Sequence, residues 1–228
     1  MWSWAEMGLY DDVANIKMIK QEAAVDKVFY IGYSQGTIQM FYGLSHLESQ
    51  FYADNLHKVV QLAPCFIYEP LPSWTMETLN NTLMQYQNYG VYAINGPNWK
   101  EDRKTICKNF SIEACAYYHT LIFQQGQAVE SEKHWNMNAM INRFQEKADD
   151  SEWLKGNYEA ELVHLENIQK VPISMFVGTD DNTCPHATAL EFIPQIGSET
   201  IRIDVEGVDH DYFYTVANDD WFMTNLVA

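Results

Sequence analysis

Val28-Phe29-Tyr30-Ile31-Gly32-Tyr33-Ser34-Gln35-Gly36-Thr37 is the stretch whose reading decides the fold. Its first four residues are β-branched or aromatic and read as a short buried strand. They run into G-Y-S-Q-G, and Ile38, Met40, Phe41 and Leu44 then follow at helical spacing. Strand, sharp G-x-S-x-G turn and helix is the context that a nucleophilic serine elbow requires. So tight a turn forces Ser34 into strained backbone angles. Side chains at Gly32 and Gly36 are expected to collide with the neighbouring strand and helix. Ser34 Oγ would stand above the sheet edge, and the Gln35 N–H would point at the same spot from the positive end of the helix. The bland alternative is a chance occurrence of a common five-residue pattern. The flanking strand and helix argue against it.

Composition narrows the classes of function. The chain has 228 residues, 47% of them hydrophobic and 14% aromatic, enough for an α/β core. A formal charge of −17 and a pI near 4.6 make phosphate backbones and anionic membranes poor partners, so nucleic acid is excluded. A neutral or apolar substrate suits such a surface. No run of about twenty apolar residues occurs, so no transmembrane segment is expected. The N-terminal Met1-Trp2-Ser3-Trp4-Ala5-Glu6-Met7 lacks a basic and an apolar region, so no signal peptide is expected here. Cys65, Cys107, Cys115 and Cys184 form no C-x-x-C pair and no zinc spacing with histidine, and leave the redox compartment open. Asn80-Asn81-Thr82 and Asn109-Phe110-Ser111 are glycosylation triplets that lean slightly toward a secretory history.

In chain order, Asp11 to about Ala24 reads as a helix with Val13, Ile16, Met18 and Ile19 on its apolar face. After the elbow helix, Val59-Val60-Gln61-Leu62-Ala63-Pro64 is a second strand, and strand–helix–strand at this spacing implies a parallel sheet. Residues 66–169 are rich in Trp, Tyr, Asn and Gln and are too long for a connection, so they form an inserted subdomain. Within it Trp74, Met76, Leu79, Leu83 and Met84 make an apolar stripe, which serves either as core or as a surface closing over something apolar. The α/β pattern resumes at 170–228. It has a strand at Val171–Gly178, a helix at Pro185–Ile193, a strand at Thr200–Val205 and a closing helix at Tyr212–Val227. The expected fold is an incomplete α/β-hydrolase sheet made by 1–65 and 170–228, with 66–169 inserted as a cap or lid.

Two further residues complete a chemical set. Asp180 lies just past the third strand and His210 in the loop after the fourth, at the carboxyl edge that also carries Ser34. A free serine hydroxyl is too weak an acid to attack an ester near neutral pH, so an imidazole must take its proton. A carboxylate then fixes the imidazole tautomer and stabilises the imidazolium. Asp181 adjoins Asp180, and either would also serve as a helix cap; position after the strand favours Asp180. His210, between Asp209 and Asp211, would otherwise be a solvated loop histidine. The remaining histidines follow no sheet strand as directly. Cys184 is a rival nucleophile with no elbow around it.

At these residues the chain resembles the acid lipases typified by gastric and lysosomal acid lipase. Trp2 to Asp11 is similar to the family's aromatic block ending E-M-x-x-Y-D, and Gly32–Thr37 to its G-H-S-Q-G-T elbow with Tyr33 in place of histidine. Leu62-Ala63-Pro64, His134-Trp135, Phe144-Gln145, Asn167-Ile168, Gly178-Thr179-Asp180 with Pro185, and Asp209–Phe213 resemble family strings in the same order. The resemblance implies hydrolysis of acylglycerols or sterol esters, an apolar ester or lipid–water interface as partner, no metal or organic cofactor, and a secreted or lysosomal setting. It assigns Ser34, Asp180 and His210 as triad, Gln35 as oxyanion donor, and a cystine joining Cys107 to Cys115. The family's upstream region, with an H-G loop supplying a second oxyanion donor, has no counterpart here. The chain therefore looks like the C-terminal part of such a lipase, with Val28–Ile31 left as an exposed apolar edge. A function from another class stays open beside this one: a truncated paralogue that binds lipid or a partner and keeps the triad as a relic.

Overall fold

The computed structural model describes residues 3–47, 49–68, 73–90, 99–109, 133–135, 137–139, 142–147, 149–153, 155 and 157–215. Two compact units result: Trp4–Glu69 with Glu161–Ala228, and Met1–Ser3 with Pro70–Ala160. The second unit's boundaries at Pro70 and Ala160 lie inside the insertion read from sequence, 66–169.

The first unit holds a four-stranded sheet, β1 (Val28–Tyr33), β2 (Leu56–Leu62), β3 (Ile173–Gly178) and β4 (Thr200–Val205), arranged in that order with every neighbouring pair parallel. All six residues of β3 are buried, as expected for a central strand covered on both faces. β1 lies at one edge of the described sheet, where Phe29 and Ile31 are 63% and 54% exposed. Because all four strands run the same way, the segments that leave them emerge along one carboxyl edge. These segments carry Ser34, Cys65, Asp181 and His210.

Helices α1 (Trp4–Glu6) and α2 (Asp12–Ala23) are joined by a π-helical turn, Met7–Asp11. The widened turn lies against α3 (Gln35–His46), the elbow helix. A Cβ at Gly8 would lie 2.0 Å from the Gln39 carbonyl oxygen, and one at Gly43 2.7 Å from the Gly8 carbonyl oxygen. Only glycine admits that approach. α4 (Ser49–Asn55) then leads into β2. Below the carboxyl edge, Val60, Leu62, Ala63, Phe176, Val205, Val208 and Phe213 form one core cluster. Phe213 anchors the chain just after His210, and such a burial stabilises by about 1.5–3 kcal/mol.

In the second unit, α5 (Ser73–Asn88) and α6 (Trp99–Asn109) are the long helices among the described residues. Leu83 is fully buried, and Met84 packs on Met137 with Tyr158 and Ala160. Two of the strings quoted above meet here: His134 Nε2 pairs with the Gln145 carbonyl at 2.8 Å, and Gln145 Oε1 accepts the Ala160 N–H. Buried polar groups paired in this way fix a unit that shows no sheet of its own among the described residues. Trp74, Met76 and Leu79 and the greater part of the expected closing helix lie outside the described side chains; its first turn is Tyr212–Thr215.

Asp12 is buried between α2 and α3, where it accepts a 2.9 Å hydrogen bond from Gln39 Nε2. Burial pushes its carboxyl up from 3.8 to about 7, against the opposing effect of the Gln39 bond. The native state therefore holds a proton that the unfolded chain releases near pH 4. Stability from this group falls as pH rises from about 4 to 7 and is level above that. Asp12→Asn mimics the protonated form. Its unfolding free energy relative to the parent should rise across that window by about 4 kcal/mol. Urea melts of both proteins at pH 4, 5, 6, 7 and 8 check this; a constant offset would contradict it.

Candidate active site

Ser34 sits between β1 and α3 at φ 52° and ψ −119°, a conformation that costs a non-glycine residue about 1–3 kcal/mol. Hydrogen bonds hold it there. Its N–H donates to the Leu62 carbonyl (3.2 Å), and its own carbonyl accepts from the Thr37 N–H (2.9 Å) and the Thr37 hydroxyl (2.6 Å). Steric need falls on one of the two elbow glycines. A Cβ at Gly32 would lie 2.4 Å from Gln61 Oε1, 2.8 Å from the Gly36 carbonyl oxygen and 2.9 Å from the Tyr30 ring. At Gly36 the nearest atom is the Tyr30 hydroxyl at 3.7 Å, an ordinary contact. The collision expected at Gly36 is thus corrected: the turn opens enough there to admit a side chain.

His210 connects the two other groups. Its Nε2 is 2.8 Å from Ser34 Oγ and its Nδ1 2.8 Å from Asp181 Oδ2, and both His210 and Asp181 are buried. With the imidazole neutral, Nδ1–H donates to the carboxylate and Nε2 accepts the serine proton, the tautomer that this network selects. Ser34 and His210 meet as the sequence reading expected, but Asp180 does not join them. Asp180 is exposed; its N–H donates to the Val208 carbonyl (3.0 Å) and its carboxylate accepts from the Thr179 hydroxyl (3.5 Å). The turn after β3 sends Asp180 outward and brings Asp181 back toward the sheet edge. Asp181 also does the capping that sequence left open between the two, since its Oδ1 accepts from the N–H groups of Thr183 (2.9 Å) and Cys184 (2.8 Å).

Close backbone approach fixes the two loops together. A Cβ at Gly178 would lie 2.3 Å from the Val208 carbonyl oxygen, and the Gly207 N–H donates to the Thr179 hydroxyl at 2.8 Å. Tyr33 steadies the base from the other side. Its single O–H is shared between the His210 carbonyl (3.2 Å) and Asp211 Oδ1 (3.3 Å), and its ring lies 5.4 Å from the imidazole. Burial first, and the Asp211 charge next, raise the Tyr33 hydroxyl's pKa, so it stays a donor. In the sequence Tyr33 stands out only as the residue where the similar motif has histidine. Gln35 opens α3, so its N–H is among the first-turn amides that a helix leaves without an intrahelical acceptor.

A disulfide that the sequence reading does not include joins two of the loops at the carboxyl edge. Cys65, just beyond β2, is bonded to Cys184, in the loop after β3, with Cα atoms 5.0 Å apart. Cys184 is therefore no rival nucleophile. Cys107 is disulfide-bonded as well, and Cys115, its expected partner, lies outside the described residues.

No family model matches the chain. It is 31% identical to lipase lipl-5 of Caenorhabditis elegans over 119 residues, which cover 50% of this chain and 29% of that protein. It is 24% identical to lipase member K of Mus musculus, over 93% of this chain and 60% of that protein. The chain spans less than two thirds of the length of these curated relatives. Among solved structures, it resembles a monoacylglycerol lipase of Paleococcus ferrophilus (TM-score 0.54, 17% identity, 96% of this chain and 73% of that one). It also resembles DcsB, solved with a substrate analogue (TM-score 0.59, 9% identity, 99% and 71%).

Four parallel strands in this order, the elbow and these neighbours give the chain the α/β-hydrolase fold. The curated relatives that the chain matches are lipases, the class to which the motif resemblance pointed.

The asymmetry between the glycines is testable. Gly32→Ala should cost at least about 2 kcal/mol through overpacking against β2 and the elbow. Gly36→Ala should be neutral, or stabilise by up to about 1 kcal/mol through helix propensity. Thermal melts of the two variants decide it; equal losses would contradict the geometry.

Proposed function

We propose that the chain is the catalytic part of a serine hydrolase of acid-lipase type, cleaving carboxylic esters of lipids, acylglycerols or sterol esters, in lipid catabolism. The observation that carries this reading is the line Ser34 Oγ–His210 Nε2 and His210 Nδ1–Asp181 Oδ2, each link 2.8 Å. Ser34 Oγ attacks the ester carbonyl as His210 Nε2 takes its proton, and Asp181 stabilises the imidazolium. The Gln35 N–H, at the start of α3, supports the developing oxyanion. Collapse of the tetrahedral adduct expels the alcohol, protonated by His210, and leaves an acyl-serine. Water activated by the same imidazole then releases the acid. The unit containing Pro70–Ala160 is the cap in this reading. The buried disulfide supports a secretory or lysosomal setting, where such bonds persist. No helix of the described residues is long and apolar enough to cross a membrane.

Short-chain nitrophenyl ester hydrolysis tests the roles. Ser34→Ala and Asp181→Asn should each lower kcat by on the order of 10⁴-fold. Asp180→Asn should leave kcat within about threefold of the parent, as a solvated carboxylate with no catalytic contact would. Undiminished turnover by Ser34→Ala would end the hydrolase reading. Loss with Asp180→Asn in place of Asp181→Asn would return the acid's role to Asp180.

A further inference from the structure

The two sulfurs of the Cys65–Cys184 bond lie beside the imidazole: Cys65 Sγ, Cys184 Sγ and a His210 ring nitrogen all fall within 4.8 Å of one another. Both cysteines are buried, at 3% and 1% exposure. Each also holds one end of the triad through its own backbone N–H. That of Cys184 donates to Asp181 Oδ1 at 2.8 Å, while the other carboxylate oxygen engages His210. That of Cys65 donates to the Thr37 hydroxyl at 2.8 Å, and this hydroxyl donates in turn to the Ser34 carbonyl at 2.6 Å. The covalent bond therefore closes a ring of contacts that runs from Ser34 through Thr37, Cys65, Cys184 and Asp181 to His210 and back to Ser34. It is the covalent tie between the turn Asn182–Cys184 and the β2 end, and Asn182 and Thr183 are exposed.

We propose that the Cys65–Cys184 disulfide is a positioning element for the triad: it holds Asp181 against His210 and registers that pair to the serine elbow. The proposal rests on the hydrolase reading above and adds a dependence on redox state. Reduction by a dithiol transfers two electrons to the S–S bond, gives two cysteine thiols, and oxidises the dithiol to its cyclic disulfide. The freed Cys184 no longer fixes the N–H that holds Asp181 Oδ1. Misplacement of a catalytic group by about 1 Å can cost on the order of 10²-fold in rate.

The test uses the full chain with histidines labelled with nitrogen-15. Three samples are compared: oxidised protein, protein treated with dithiothreitol, and the double variant Cys65→Ala/Cys184→Ala, which spares the bond at Cys107. The downfield proton resonance of His210 Nδ1–H reports the bond to Asp181 and needs no turnover. Expected in the second and third samples are loss or exchange broadening of that resonance, and kcat on a nitrophenyl ester lower by on the order of 10²-fold with KM changed less than about threefold. In an Asp181→Asn background, breaking the disulfide should lower kcat by less than about twofold further, because the group it positions is already gone. A staple that only stabilises the fold would leave the resonance sharp in any sample that stays folded, and that result overturns the proposal. Should the double variant fail to fold, dithiothreitol treatment well below the melting temperature gives the same two readouts. An oxidised chain that turns over no ester defeats the hydrolase reading, while the resonance still decides the positioning role.

Discussion

Everything at the site depends on parallel pairing in register across four strands. Tyr33 lies opposite Leu62, Leu62 opposite Phe176, and Phe176 opposite Ile203, so β1 and β2 end at one level while β3 and β4 run on to Gly178 and Val205. Each successive strand end then contributes to the site: the elbow after β1, Cys65 after β2, Asp181 and Cys184 after β3, His210 after β4. Parallel strands need crossover connections and are buried on both faces, which explains why β3 is wholly buried. A one-residue slip of β4 against β3 would turn its side chains to the other face and carry the His210 loop away from Asp181.

On that frame, local backbone devices set the geometry. Ser34 is strained, and three hydrogen bonds, from its N–H and to its carbonyl, over-determine the strain. Gly32 and Gly178 are required by close approach, the first of β2 and the second of the His210 loop. Gly8 and Gly43 let the π turn press against the elbow helix. Polar burial at Asp12 and the fully buried Gln61 sits behind the same helix. Stability is given up locally to hold a reactive hydroxyl in place, a pattern usual at active sites.

The parts legible in the sequence were those with a local signature. Val28–Ile31 running into G-Y-S-Q-G and a helical apolar pattern gave strand, elbow and helix, and placement after a strand singled out His210. The acid was not legible to the residue, because Asp180 and Asp181 are chemically identical neighbours. What separates them is the turn after Gly178, where the Val208 carbonyl takes the Asp180 N–H and Asp181 is folded inward. The Cys65–Cys184 bond spans 119 positions and joins the ends of two adjacent strands, so only the strand order reveals it. Tyr33 carried a hint, as an aromatic beside the serine where the related motif has histidine, but its partners on Asp211 and the His210 carbonyl come from the far end of the chain.

The central claim is that Ser34 is an activated nucleophile, its proton accepted by a histidine oriented by Asp181. Reaction with a fluorophosphonate tests this without any assumption about substrate, because only a serine paired with a working base displaces fluoride quickly. The account predicts one adduct per chain by intact-protein mass spectrometry, mapped by peptide analysis to Ser34. An unmodified chain after prolonged exposure of folded, oxidised protein would contradict it, as would an adduct on any other residue.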